Sequence, residues 1–544
     1  MLSQRSSGGV VMKKAFLLTV CVWFFAAGVS FGREQPLANE NKSGLYIRSI
    51  EQMLRLDADE IDLATAALII SEQWSDMVHG RRYLERLDDM AYEIRSILED
   101  KGLKANYKAI AVINEYLFAK EGFESVPEAN NPNDLFLHTV LDKKRGYCLS
   151  LSILYLSLGE RLGLPLYGVV VPGHFFVRYD DGRVRFNIET TGRGGNVSDK
   201  HYIDKFKVPQ DNESIYMASL NKLQTLGCFF NNLGNSYSDT GNTDQAQLAL
   251  ERAVQINPSL SESHTNLGNI YLKLDRIDDA IGEYLAALEI NQNDAKTHNN
   301  LGNAYTKRGW LNDAVSHYSQ SLKLAPDFVD AHKNLAYAYC RQQMFGQAIA
   351  QLKQAIDLEP KDAQLYYQLA DVYRQNNDCE TAISQYKKAL KLKQDFAEPY
   401  YGLGLCYGKT GSADDEISAY KKALAINPDM VAALASLGNA YFGRQNYDAA
   451  IEQYRKAIEI KPDDGTIHYN LGAAYSNKAD YEQAAEEYLR AVELEPEMAD
   501  AHKGLAFAFY KLKNYELAAK HIKIAEKLGA EIAEDLVAAI EKKL

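Results

Sequence analysis

Hydrophobic residues recur with a period of 34 along the C-terminal half of the chain, without a single slip. A leucine column is followed four residues later by an aromatic column, and this offset places both side chains on one face of a helix. The leucines are Leu233, Leu267, Leu301, Leu335, Leu369, Leu403, Leu437, Leu471 and Leu505. The aromatics are Tyr237, Tyr271, Tyr305, Tyr339, Tyr373, Tyr407, Tyr441, Tyr475 and Phe509. The pattern therefore predicts one amphipathic helix in each repeat.

Two columns of small residues predict a second helix in each repeat, because small side chains let two helices approach closely. Alanine occupies the first column, nine positions after the aromatic, except where Glu416 interrupts it. Proline closes most repeats, since it cannot continue a helix. These columns resemble the tetratricopeptide repeat (TPR) over residues 227–532. The resemblance implies an all-α solenoid of nine helix-pair repeats with a concave groove, followed by a C-terminal cap helix at 533–544.

Asparagine recurs at one position of the first helix in successive repeats and forms a column along the predicted groove. Its members are Asn232, Asn266, Asn300 and Asn334. An amide group can both donate and accept, so such a column can bind a peptide backbone without reading its side chains. The column is similar to the asparagine ladder in the TPR superhelix of O-linked N-acetylglucosamine transferase. The alternative is that these amides bond between neighbouring repeats.

The region before the repeats changes from helical to strand patterning. Four helices are predicted at Tyr46–Leu56, Ile61–Trp74, Arg81–Glu99 and Tyr107–Ala119. A further helix begins at Cys148 and runs to about Leu162, where glycine and proline stop it. Three strands follow at Leu166–Val171, His174–Tyr179 and Arg183–Glu189. This order predicts an α+β domain, and we place it at residues 45–210.

Three residues of this domain form a candidate catalytic group. Cys148 lies in the first turn of a helix, where the helix dipole and free N–H groups stabilise a thiolate. His174 begins the second strand, and a hairpin register can place Glu189 opposite it. The order is then nucleophile, base and orienting acid. Asn187, on the same strand face as Glu189, is the alternative orienting residue.

The same stretch resembles the transglutaminase-like superfamily, in its bacterial branch with a helical N-terminal part. The matching segments are Gly146-Tyr147-Cys148, Arg161-Leu162-Gly163-Leu164-Pro165, Pro172-Gly173-His174-Phe175 and Ile188-Glu189. The resemblance implies a papain-like fold in which Cys148, His174 and Glu189 are catalytic. The third residue of this family is usually Asp, so Glu189 departs from its pattern.

Composition and the N-terminus define the setting of the chain. Lys13 and Lys14 precede an apolar run that ends in small residues, which is typical of a secretory signal peptide at residues 1–32. We therefore expect a periplasmic or secreted protein, or a membrane-anchored one if the segment is retained. The net charge of −13 argues against a nucleic-acid partner. The spacing of Cys and His residues matches no metal site, and no organic cofactor is implied.

Two hypotheses of different classes follow. In the first, the chain is a cysteine hydrolase or acyl-transferase that acts on protein or peptide amides, and the TPR array binds a protein. In the second, the chain is a non-catalytic TPR scaffold, and the N-terminal domain is only a docking or folding module.

Overall fold

The computed structural model describes residues 39–40, 46–47, 49–74, 78–127, 131–208 and 216–544. The signal peptide predicted at residues 1–32 lies outside these ranges. The described residues group into two compact units, the first extending to Val208 and including residues up to Ser236, the second beginning at Tyr237. No helix among the described residues combines the length and the apolar character that crossing a bilayer requires.

The helices of the first unit surround one long buried helix. They are α1 (Ile50–Met53), α2 (Leu63–Trp74), α3 (Gly80–Asp100), α4 (Ala109–Asn114), α5 (Leu137–Lys143), α6 (Cys148–Arg161) and α7 (Asp199–Phe206). Eleven residues of α6, from Leu149 to Gly159, are buried, so this helix is enclosed on every side. The helix expected at Tyr46–Leu56 is much shorter, because Tyr46–Ile47 is extended and pairs with Asn39–Glu40. The other predicted helices are present with shifted ends.

A four-stranded antiparallel sheet packs against α6. The last four strands of the described residues form this sheet. All strands, numbered in chain order, are β1 (Asn39–Glu40), β2 (Tyr46–Ile47), β3 (Glu124–Ser125), β4 (Arg145–Gly146), β5 (Leu166–Val171), β6 (His174–Asp180), β7 (Arg185–Glu189) and β8 (Gly195–Val197). The sheet order is β5-β6-β7-β8. Gly173 supplies the left-handed residue of the β5–β6 turn at φ +71°. The sequence predicted the first three strands of this sheet, whereas β8 is too short and polar to show a strand pattern.

The repeats fold as a succession of paired helices. The bounds are α8 (Lys222–Asp239), α9 (Thr243–Ile256), α10 (Ser261–Lys273), α11 (Ile277–Ile290), α12 (Ala295–Arg308), α13 (Leu311–Leu324), α14 (Val329–Arg341), α15 (Phe345–Leu358), α16 (Ala363–Gln375), α17 (Cys379–Leu392), α18 (Ala397–Thr410), α19 (Ala413–Ile426), α20 (Val431–Gly443), α21 (Tyr447–Ile460), α22 (Gly465–Asn477), α23 (Tyr481–Leu494), α24 (Ala499–Lys511), α25 (Tyr515–Lys527) and α26 (Glu534–Glu541). The α+β domain followed by an all-α TPR solenoid is confirmed.

In five of the pairs, a tyrosine of the second helix packs against a glycine of the preceding helix. The Tyr318 ring covers Gly302 so closely that a Cβ atom there would lie 2.6 Å from it. The same contact recurs at Tyr284, Tyr420, Tyr454 and Tyr488. The Tyr318 hydroxyl donates to Asn303 Oδ1 at 2.7 Å. The glycine of the Leu-Gly motif therefore leaves room for the tyrosine ring. Asn303, which follows Gly302, accepts a hydrogen bond from the buried hydroxyl of Tyr318.

Candidate functional site

Cys148 is the first residue of α6, and its surroundings fix that end of the helix. The preceding residue, Tyr147, is extended, and its N–H donates to Ser150 Oγ at 2.8 Å. Thr190, just after β7, contacts Ser152 through their hydroxyls at 3.0 Å and donates to the Cys148 carbonyl at 3.3 Å. These bonds tie the first turn of α6 to the end of β7. Cys148 itself is half-buried.

The structure brings Cys148, His174 and Glu189 together. Nε2 of His174 lies 2.7 Å from Oε2 of Glu189. The Cys148 thiol lies beside the same imidazole and is among the groups that raise the pKa of the ring. Because Glu189 occupies Nε2, Nδ1 is the ring nitrogen left for the sulfur. The three side chains form a chain of contacts in the order thiol, imidazole, carboxylate, which is the arrangement of a cysteine nucleophile with an oriented base.

The strand register differs from the one expected. Val177 faces Ile188 and Arg178 faces Asn187, so Glu189 is level with Phe176 and not with His174. The expectation that Glu189 lies directly opposite His174 is therefore wrong. Glu189 is a diagonal neighbour two residues away on the same face, at a separation that only long side chains span. The length of glutamate makes the contact with His174 possible from this position.

Glu189 is held by two further residues that the sequence analysis did not find. The backbone N–H of Thr191 donates to Oε1 at 3.0 Å, and the Thr191 hydroxyl donates to the same oxygen. The hydroxyl of Tyr202 donates to Oε2 at 2.8 Å. Tyr202 belongs to α7, which carries no motif that would have indicated a place in the site. Both carboxylate oxygens are therefore fixed, and Oε2 is aimed at His174.

Aromatic rings enclose the imidazole. The Phe206 ring lies parallel to that of His174, with centroids 5.0 Å apart and an interplanar angle of 3°. The rings of Phe176 and Tyr202 stack at 3.9 Å and 5°. Phe206 and Tyr202 both come from α7, so this helix contacts both His174 and Glu189. The stack restricts rotation of the imidazole and covers much of the His174–Glu189 pair, whose side chains are each 14% exposed.

The surroundings shift the pKa values of His174 and Glu189 in opposite directions. Burial disfavours the imidazolium, but its interactions with the Cys148 side chain and with the Glu189 carboxylate, which accepts a hydrogen bond from the ring, outweigh burial and raise the pKa of His174 to about 9. Burial also disfavours the carboxylate of Glu189, yet its bonds with His174, Thr191 and Tyr202 lower its pKa to about 2. At neutral pH the pair is therefore an imidazolium beside a carboxylate.

Asn187, the alternative orienting residue, has other partners. Its Oδ1 accepts from Nε of the fully buried Arg178 at 2.9 Å. Its Nδ2 donates to the Val197 carbonyl at 2.9 Å and to Asp199 Oδ1 at 2.6 Å. Asp199 is the first residue of α7 and also accepts from Arg178. Asn187 therefore helps to attach α7 to the sheet and does not orient His174.

The asparagine column lies on the first helices of the repeats, where two of its members bond to neighbouring repeats. Nδ2 of Asn300 donates to Asn269 Oδ1 at 2.9 Å. Nδ2 of Asn334 donates to Asn299 Oδ1 at 3.0 Å. Asn232 on α8 and Asn266 on α10 are half-buried. The bonds of Asn300 and Asn334 are those of the inter-repeat alternative, and peptide binding by the column stays a prediction.

The described residues contain no cluster of three or more His, Cys, Asp or Glu side chains arranged to hold a metal ion.

Two regions of the chain match known protein families. Residues 81–224 match the family model described as the transglutaminase-like superfamily. TPR models match residues 268–309, 302–343, 337–376, 370–411, 438–478 and 479–513, and also 229–260 and 397–430. The chain is a transglutaminase-like domain followed by a TPR array. The transglutaminase-like match covers the sheet, α6 and α7, and therefore every residue of the candidate site.

Several known proteins resemble parts of the chain. A UPF0162 protein of Xylella fastidiosa is 26% identical over 219 residues, which is 37% of this chain and 73% of the relative. The human F-box only protein 21 is 36% identical over 76 residues, 14% of this chain and 11% of that protein. Among solved structures, MamA is 30% identical with a TM-score of 0.28 and covers 30% of this chain and 95% of its own. YrrB, described as a TPR protein with an unusual peptide-binding site, is 24% identical with a TM-score of 0.28 and covers 33% and 93%.

Proposed function

We propose that the transglutaminase-like domain is a cysteine hydrolase or acyl-transferase acting on protein or peptide amides. The TPR array binds the protein that carries the substrate or directs the enzyme to it. The observation that carries the proposal is the continuous contact from the Cys148 thiol through His174 to Glu189. A packing cysteine has no need of an imidazole whose second nitrogen is held by a fixed carboxylate.

The reaction follows from the protonation state of the pair. The Cys148 thiolate attacks the carbonyl carbon of an amide, and the imidazolium of His174 gives its proton to the departing amine. The products are a free amine and an acyl thioester on Cys148. Water or a second amine then attacks the thioester while neutral His174 takes its proton. The sulfur leaves as a thiolate, and a carboxylic acid or a new amide is released.

Glu189 supports both steps without exchanging a proton. Its carboxylate holds Nε2–H of His174, so Nδ1 stays directed at the sulfur in either protonation state. Tyr202 and Thr191 keep the carboxylate in place. Hydrolysis and amide transfer use the same groups and differ only in which nucleophile reaches the thioester.

A thiol-labelling experiment tests the catalytic role. The full chain is treated with iodoacetamide at pH 7, and the alkylation rate of each cysteine is measured by peptide mass spectrometry. We expect Cys148 to react faster than the half-buried Cys340, and His174→Ala to lower the Cys148 rate alone. Equal rates for Cys148 in the wild type and in His174→Ala would overturn the proposed nucleophile.

A turnover assay distinguishes the two hypotheses. Casein serves as the protein substrate, and a fluorescent primary amine reports transfer while new carboxyl groups report hydrolysis. Cys148→Ala should abolish both products, and the matched variant Cys340→Ala should leave them unchanged. His174→Ala should slow turnover by roughly 100- to 10,000-fold. Products that persist in Cys148→Ala would leave the non-catalytic TPR scaffold as the function of the chain.

The predicted signal peptide supports a periplasmic or secreted location for this activity. N-terminal sequencing of the protein recovered from the cell envelope and the medium tests it. A start after about residue 32 is expected, whereas an intact N-terminus in the membrane fraction would show an anchored protein.

A further inference from the structure

One repeat of the array contains a cavity beside a position where five other repeats carry a buried polar pair. In five other repeats a buried histidine of the first helix bonds a side chain nineteen residues later, as His264 bonds Glu283 at 2.7 Å. The corresponding residues between α18 and α19 are Tyr400 and Ala419. Alanine is too short to reach the first helix. A cavity of about 390 Å³ is lined by Ala419 and by other residues of α17, α18 and α19.

The floor of the cavity is apolar and its rim is basic. Leu390 and Leu403 contribute buried aliphatic surface, and Tyr400 contributes a half-buried ring. The ammonium groups at the rim belong to Lys387, Lys391 and Lys422, and the rim contains one carboxylate, Asp415. Lys387 lies 5.8 Å above the ring of Tyr407, and Lys422 lies 5.8 Å above that of Tyr400. These contacts direct the two lysines over the mouth of the cavity.

The charge of this rim is unusual for the chain. The protein carries a net charge of −13. The repeat position of Lys391 is acidic in four other repeats, at Glu289, Asp357, Glu459 and Glu493, and basic in two, at Lys323 and Lys527. Among the described residues, no carboxylate lies within ion-pair distance of Lys387, Lys391 or Lys422, whereas Lys456 and Lys478 on nearby repeats are paired. Three unpaired cations around one cavity repel each other, and a bound anion would relieve that repulsion.

We propose that this cavity binds an acidic segment of a partner protein, with an apolar side chain on the leucine and tyrosine floor and flanking carboxylates among the three lysines. The site is separate from the asparagine column, which lies on a different face of the first helix. Tyr400, Leu403 and Tyr407 are spaced three and four residues apart, whereas the column position falls two residues after Tyr400. The proposal rests on the proposed protein-binding role of the array and does not depend on catalysis by Cys148.

The test uses the full chain with Cys148→Ala, so that no turnover interferes. The probe is a fluorescein-labelled peptide of glutamates around a central leucine, and binding is measured by fluorescence anisotropy. We expect binding that weakens as salt is added. Lys387→Glu with Lys391→Glu should weaken it at least about tenfold. The matched control, Lys353→Glu with Lys323→Glu, changes lysines at the same repeat positions in other repeats and should leave binding unchanged.

A second variant tests the shape of the cavity without changing its charge. Ala419→Gln fills the space with the residue that the adjacent repeats carry as Gln385 and Gln453, so the repeat can accept it. We expect it to weaken binding of the leucine-containing peptide severalfold and to leave the melting temperature unchanged. Unchanged binding in both Ala419→Gln and the Lys387/Lys391 variant would overturn the site.

Two further probes test whether the partner is an acidic protein, a nucleic acid or a membrane. A single-stranded oligonucleotide and vesicles containing phosphatidylglycerol replace the peptide. Tighter binding of either one, lost in the Lys387/Lys391 variant, would overturn the acidic-protein assignment. A partner protein that binds the array equally well with and without these variants would also overturn it, while leaving the protein-binding function of the array intact.

Discussion

At the scale of single residues, the site depends on the length of one side chain. Glu189 reaches Nε2 of His174 from a diagonal position in the sheet, at 2.7 Å. An aspartate there would end roughly 1.5 Å short, since it lacks one carbon–carbon bond. The departure from the family's usual aspartate therefore matches the register of this hairpin. It is no sign that the site has decayed.

Two substitutions of Glu189 separate the effect of its side-chain length from the effect of its charge. We expect Glu189→Asp to slow Cys148 alkylation and turnover by roughly 10- to 100-fold, because the imidazole loses its orienting bond. Glu189→Gln keeps the length and removes the charge, and it should lower the pKa of His174 from about 9. NMR titration of the His174 ring measures that change. Full activity in Glu189→Asp would contradict the diagonal geometry.

Tyr202 is a positioning residue whose hydroxyl and ring can be tested apart. Tyr202→Phe keeps the stack on Phe176 and removes the bond to Glu189. We expect a loss of about 1–3 kcal/mol in the free energy of unfolding and a higher pKa for Glu189, measured by denaturant titration and carbon-13 NMR. Tyr179→Phe, which removes a bond to Asp181 away from the site, should leave the pKa of Glu189 unchanged.

At the scale of elements, the repeat depends on how closely two helices approach. Where the glycine of the Leu-Gly pair lies under a tyrosine ring, as at Gly302 and Tyr318, the two helices approach so closely that a Cβ atom would overlap the ring. The Asn303-type residue next to it accepts the hydroxyl of that tyrosine. One glycine, one tyrosine and one asparagine thus act as a single packing unit in each repeat that contains all three.

Two glycine substitutions in neighbouring helices of the array should have opposite effects on the free energy of unfolding. Gly302→Ala places a Cβ 2.6 Å from the Tyr318 ring, and we expect a cost of about 1–3 kcal/mol from overpacking. Gly282→Ala, in α11, meets open space and should stabilise the array by about 0.5–1 kcal/mol, because alanine favours helix. Urea unfolding followed by circular dichroism measures both. Equal effects would show that helix propensity alone governs these positions.

At the scale of the whole molecule, the two units respond to pH in opposite directions. In the array, His502 and His521 face each other with their Nδ1 atoms 2.9 Å apart. Burial, with His502 and Lys520 adding to it, lowers the pKa of His521 to about 4. In the first unit the pKa of His174 is raised to about 9. Low pH therefore lowers the stability of the folded array, whereas high pH lowers the stability of the folded site.

The array should lose stability as the pH falls from about 6.5 to about 4. In that range His521 binds a proton in the unfolded chain but stays neutral in the folded array. The full effect is roughly 3 kcal/mol. His521→Gln places at this position the residue that Gln351 provides in another repeat, where it bonds His332. We expect this variant to flatten the pH dependence of the melting temperature over that range. An unchanged slope would contradict the role of His521.

For His174 the sign is reversed. Its contribution is fully present below pH 6.5 and is lost as the pH rises through about 9, with a size of roughly 3 kcal/mol. Glu189 contributes stability above pH 4.5 that is lost as the pH falls towards about 2. His174→Ala should therefore remove the alkaline part of the pH dependence of the first unit, measured by thermal unfolding between pH 6.5 and 9.5.

The repeat and the α+β character of the first domain could be predicted from the amino-acid sequence alone, and the sequence also predicted the three residues of the candidate site. It did so because a 34-residue period, strand alternation and a cysteine at a helix start are local patterns. Three features became visible only in the folded structure: the register that makes Glu189 diagonal to His174, the position of Tyr202 beside the carboxylate, and the cavity beside Ala419. Each of these depends on which distant segments meet, since a hydrogen bond or a gap between helices is set by packing and leaves no periodic mark along the chain.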